Sequence, residues 1–131
     1  MSEIYKKNSI RGIRGATTIE SNKSELIKDA TKELLAKMVE DNNVATEDIA
    51  AVFFTTTADI SDEFPAVAAR EMGWETVPLI CGHEMSVPHG LEKCIRILIL
   101  WNTEVKQKKI RHPYLRKAKS LRKSDNDFEA T

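Results

Sequence analysis

Cysteine is scarce: the chain holds two, Cys81 and Cys94. That is too few and too widely spaced for a disulfide scaffold or a paired metal knuckle, and it suits a reducing, cytoplasmic setting. No apolar run approaches the length of a membrane span, and the N-terminal residues lack the apolar core of a secretion signal. No charge of one sign prevails. The 20 basic and 20 acidic residues cancel, which removes the bulk electrostatic argument for a nucleic-acid or membrane partner. The five glycines form no phosphate-cradling loop, and there is no nucleophile elbow. His83, His89 and His112 are scattered without metal-ligand spacing. Cys81, His83 and Glu84 lie close in sequence, but on a strand one would face away from the other two and no fourth ligand is evident. Neither metal nor cofactor is expected. Aromatics make up 6% of the chain, and the basic stretch from Lys106 to Lys123 carries only Tyr114 as a stacking ring. It therefore reads as a solvated face or the wall of an anion pocket rather than an RNA platform.

What is present fits one domain of 131 residues. A loose leader is expected over residues 1–9, the domain over 10–123 and a frayed tail over 124–131. Ile10 to Ile19 reads as a strand. Ile10, Gly12, Arg14, Ala16 and Thr18 share one face, and Gly12 and Ala16 leave space beside the Arg14 cation. Asn22 opens a helix, with Glu25 in capping-box spacing. Ile27, Ala30, Leu34 and Met38 form its apolar stripe, and it ends near Asp41-Asn42-Asn43. A turn at Thr46-Glu47-Asp48 leads to a buried strand over Ile49 to Thr57, whose three threonines could hydrogen-bond a ligand or simply finish the strand, the second being favoured. Pro65 suits a first helical turn and Gly73 a helix stop, which places Phe64, Ala66 and Arg70 on a short helix and its entry.

The stretch from Val77 to Trp101 organises the rest. A strand leads to a bend through Pro88 and Gly90, followed by Cys94 to Trp101, apolar on both alternating faces except at Arg96. Such a run predicts a strand buried on both sides. The resulting order of strand, helix, strand, short helix, strand, strand predicts an α/β fold with a mixed sheet and helices on one face. A sheet covered on one side leaves an apolar face to bury, which points to oligomerisation.

A guanidinium within an apolar strand needs an anionic or carbonyl partner, and Glu84 lies just upstream across the bend. Two readings stay open for this pair: an internal ion pair holding strands in register, or a polar pocket facing a ligand. Arg14, Arg70, Arg96 and Arg122 with Glu84, Tyr114 and nearby Cys81 suit a small dicarboxylate that also bears a hydroxyl. No nucleophile–base pair is visible, as befits a reaction driven by positioning and electrostatics.

These residues resemble the AroH-class chorismate mutases, the small trimeric type typified in Bacillus. Ile10-Arg-Gly-Ile-Arg-Gly-Ala-Thr-Thr18 resembles that family's first strand. Phe64-Pro65-Ala66 with Arg70, Cys81 with Glu84-Met85, Cys94-Ile95-Arg96, and Ile110-Arg111-His112 with Tyr114-Leu115 resemble its later segments, in one register from Ile10 to Arg122. The resemblance implies a Claisen rearrangement of chorismate to prephenate in aromatic amino-acid biosynthesis. It also implies a homotrimer that forms a pseudo-α/β barrel with its sites between subunits. Arg96 would donate to the ether oxygen. Glu84 would accept from the ring hydroxyl, assisted by the Cys81 backbone N–H. Arg14 and Tyr114 would hold a carboxylate, Phe64 and Ala66 would line the pocket, and Arg70 and Arg122 would supply positive field, Arg122 from a mobile tail. Val67 departs from a common lysine at the pocket rim, and Ile80 from a common threonine. A non-catalytic binding trimer of the same fold and an RNA-binding module using the basic stretch are the alternatives.

Overall fold

The computed structural model describes residues 9–122. The expected leader (save Ser9) and the tail lie outside them. The six regular elements run in the expected order: β1 (Ser9–Thr18), α1 (Ser24–Asn42), β2 (Ile49–Thr56), α2 (Ala66–Glu71), β3 (Leu79–His83) and β4 (Cys94–Thr103). The sheet order is β1-β4-β2-β3. β4 pairs antiparallel with both β1 and β2, and β2 pairs parallel with β3, so the sheet is mixed.

The core lies between the sheet and the helices. Ile27, Leu34, Leu35 and Met38 of α1 pack on Ile13 of β1, Ile95, Ile97, Ile99 and Trp101 of β4, and Val52 and Phe54 of β2. Helical spacing on one partner and strict alternation on the other put both apolar sets on facing surfaces. At Gly15 the approach is close, because a Cβ there would stand 2.8 Å from the Met38 sulfur. The left-handed backbone of Asn43 ends α1, and Gly73, at φ +89, follows the end of α2.

Two expectations need correction. No capping box starts α1: Lys23 is the N-cap, with no side-chain cap bond, and Glu25 pairs with Lys28. The exposed N–H of Ser24 instead donates to the Asp62 carboxylate at 2.8 Å. Asn22 Oδ1 in return accepts the N–H groups of Ser61 and Asp62. The helix is thus capped across the fold by a loop that a local motif cannot reveal. Nor is β4 buried on both sides. Its odd-numbered residues are buried, whereas Arg96 and Leu98 are exposed. Both helices take the other face, so this outward face stays open in the single chain, with Phe53 41% and Leu98 37% exposed.

The outer edge of β1 is closed by the segment that follows β4. Gln107 accepts the N–H of Gly12 and donates to its carbonyl, His112 Nδ1 accepts the N–H of Arg14 at 3.0 Å, and Pro113 O accepts that of Ala16. Leu115 N–H completes the ladder on Ala16 O. The outward N–H groups of Gly12, Arg14 and Ala16 are thus satisfied, which blunts this edge against stray pairing. The opposite edge is different. Val52 N–H bonds Pro78 O and Glu84 N–H bonds Thr56 O. In a parallel ladder that leaves the backbone groups of Leu79, Cys81 and His83 pointing off the sheet.

Candidate active site

The strand register gathers the chemistry on the outward face. Ala16 stands opposite Arg96, Arg96 opposite Thr55 and Thr55 opposite Gly82, one row across all four strands. Arg14 flanks the row on β1, and Tyr114 is brought beside it by the parallel bridge to Ala16. A cleft of about 320 Å³ is lined by Arg14, Phe53, Thr55, Arg96, Leu98 and Tyr114. Arg96 is also a wall of a second cleft of about 480 Å³, formed with Glu84 and the bend after it. Arg96 Nε lies 3.5 Å from Glu84 Oε2, with the two side chains 47% and 30% exposed. The pair is therefore neither deeply buried nor tightly closed. The same Oε2 accepts a hydrogen bond from the Thr55 hydroxyl.

Residues from both flanks of β4 complete this half. Leu91 from the bend before it, and Tyr114, Ala118 and Leu121 after it, pack with Ala16 and Cys94 in a small satellite core on the outward face. Arg122 is held there: its Nη1 donates to His112 O at 3.1 Å and its guanidinium lies 5.8 Å from the Tyr114 ring centre. Burial pushes the Cys94 thiol up to about 11, against the pull of Arg96 beside it. The buried thiol thus remains a neutral packing group.

The other predicted residues sit elsewhere. The Cys81 side chain belongs to the helix side of β3, where its thiol bonds the Ala66 backbone while burial raises its pKa. Phe64, 69% exposed, shares a cleft of about 420 Å³ with Cys81 and His83. Arg70 stands one turn beyond Ala66 on α2, its Nη1 donating to Trp74 O at 3.3 Å. The fold thus divides the predicted site. Arg14, Glu84, Arg96, Tyr114 and Arg122 gather on the outward face, while Phe64, Ala66 and Cys81 lie beside β3 and Arg70 turns to the Trp74 and Glu75 carbonyls beyond α2. Among the described residues, no three or more of His, Cys, Asp and Glu group as metal ligands would.

Comparison with known proteins decides the family. Residues 10–125 match the chorismate mutase type I family. The chain belongs to it. It is 50% identical to the chorismate mutase AroH of Thermus thermophilus over 114 residues, covering 86% of this chain and 93% of that protein. To the chorismate mutase AroH of Bacillus subtilis it is 47% identical, over 86% and 90% of the two chains. A chorismate mutase structure from Clostridium thermocellum superposes with a TM-score of 0.83 at 45% identity, covering 84% of this chain and 98% of that one.

Against this chorismate mutase frame, two polar residues at the site escaped the sequence reading. His112 binds both the Arg14 backbone and Arg122, and the clue was its place beside Tyr114. The threonines ending β2 are favoured by sequence as a strand end rather than as ligand contacts, yet Thr55 reaches Glu84, and Thr57 donates to Asp59 and accepts from the Cys94 N–H. The alternation Val52-in, Phe53-out places Thr55 on the Arg96 face, but only the β2–β4 register sets it opposite that arginine.

Proposed function

We propose that this chain rearranges chorismate to prephenate as a cytoplasmic homotrimer whose sites lie between subunits. The observation that carries the reading is the cleft lined by Arg14, Thr55, Arg96 and Tyr114, with Glu84 against Arg96, on a fold shared with chorismate mutases. The reaction is intramolecular. A carbon–oxygen ether bond breaks while a carbon–carbon bond forms, and no proton, electron or group leaves the substrate. The residues therefore have two tasks, to hold the reactive conformer and to meet the charge that grows on the ether oxygen. Arg14 and Tyr114 hold a substrate carboxylate. Glu84 accepts from the ring hydroxyl. Arg96 donates to the ether oxygen, where its interaction strengthens as the bond breaks.

The trimer reading is supported by the division of site residues within one chain. The outward face offers cations and Glu84 but lacks Phe64, Ala66 and Cys81, which lie beside the open edge of β3, and Arg70 of α2. A neighbouring subunit presenting that edge would complete the pocket and bury Phe53 and Leu98. Among the described residues no helix is long and apolar enough to cross a membrane, in keeping with the cytoplasmic reading. The test is direct: purified protein is expected to consume chorismate, followed by loss of its ultraviolet absorbance. Binding of chorismate without turnover would overturn the enzymatic reading in favour of a non-catalytic binder.

A further inference from the structure

We propose that Thr55 is a positioning residue that sets the Glu84 carboxylate and keeps it from closing on Arg96. This rests on the role given to Glu84 above. Three observations place Thr55 there. It stands between Arg96 and Gly82 in one register row, so its side chain shares the outward face with the guanidinium. Its hydroxyl donates to Glu84 Oε2, the oxygen that also faces Arg96 Nε. It lines the cleft that holds Arg14, Arg96 and Tyr114.

The geometry has a consequence for the pair. The Glu84 backbone is anchored by its N–H to Thr56 O at 2.8 Å, but its side chain spans flexible bonds. With Oε2 engaged by a hydroxyl, the carboxylate has one preferred orientation, and the long 3.5 Å contact to Arg96 is not a closed bidentate fork. Without the hydroxyl, the strongest local partner for the carboxylate is the guanidinium itself. A closed ion pair would tie up both groups that the substrate needs. Gly82, the other neighbour in the row, has open space where a Cβ would be and offers no competing donor from its side chain. Thr55 therefore acts through Glu84, without itself touching the reacting atoms.

The experiment compares wild type, Thr55→Val, Thr55→Ala and Thr55→Ser by chorismate turnover and thermal melting. Valine keeps the shape and removes the donor; alanine is the second deletion should valine fail to fold. The expected result is a fall in kcat of about ten- to a hundredfold for both deletions, as for loss of one hydrogen bond to a charged group. KM should stay within about threefold, because Arg14 and Tyr114 carry the carboxylate, and serine should restore kcat to within about threefold of wild type. Unchanged kcat in both deletions would overturn the proposal, as would a serine variant as impaired as alanine, which would assign the effect to the lost methyl. A wild-type protein without turnover would instead overturn the enzymatic reading itself.

Discussion

Replacing Arg96 by alanine separates a catalytic arginine from a structural one. Were the Arg96–Glu84 pair a buried strut, breaking it would strand a charge and destabilise the fold by roughly 3–5 kcal/mol. The geometry argues otherwise. The Nε–Oε2 contact is 3.5 Å and both side chains keep solvent contact, so screening holds the pair's stabilising contribution to about 1 kcal/mol or less. For a domain of this size that is a melting shift of only a few degrees. The catalytic cost runs the other way. Removing one preorganised donor at a developing oxyanion typically costs about 3–4 kcal/mol, a fall of roughly a hundred- to a thousandfold in kcat, and a charged donor can cost more. Arg96→Lys keeps the charge but loses the planar fork, so partial recovery is expected. Turnover and melting curves for both variants, read beside Glu84→Ala, make the comparison. A folded Arg96→Ala protein with kcat within about threefold of wild type would refute the catalytic role. A melting loss of many degrees would restore the strut.

Three further outcomes are expected. Sedimentation equilibrium should give a trimer mass, and Phe53→Asp, which puts a charge on the open sheet face, should dissociate it and abolish turnover; an active monomer at micromolar concentration would refute shared sites. Arg122→Ala should raise KM more than it lowers kcat if Arg122, held on Tyr114 and the His112 carbonyl, serves as a uniform substrate contact, and an unchanged KM would count against that role. Burial keeps the Cys94 thiol protonated up to about 11 in the fold, whereas the unfolded chain loses that proton near the ordinary thiol value of 9.0. Above the lower value the unfolded state binds fewer protons, so stability falls as pH rises towards the upper one, by about 2–3 kcal/mol from this group. Cys94→Ala should flatten that part of the alkaline melting profile, and equal slopes in the two proteins would discount the effect.

Much of this protein was legible along the chain because the deciding interactions are local. Ile27, Ala30, Leu34 and Met38 recur at helical spacing, and they are buried on α1. Pro65 before α2, and Gly73 and Asn43 in left-handed backbone, act within a few residues of where they stand. The family motifs likewise pick out Arg14, Glu84, Arg96 and Tyr114 from the chain alone. Other features depended on partners distant in the chain. Whether the Arg96 and Leu98 face of β4 is covered is set by where the helices pack, not by the apolar run itself. The α1 cap comes from Asp62, and the hydroxyl that bonds Glu84 comes from Thr55 on β2. The division of the site between the outward face and the β3 edge follows from strand order β1-β4-β2-β3. Periodicity states which residues share a face, because it is a property of one strand or helix. Which faces meet, and which stay open, is decided only when long-range pairing fixes the register and the layers close.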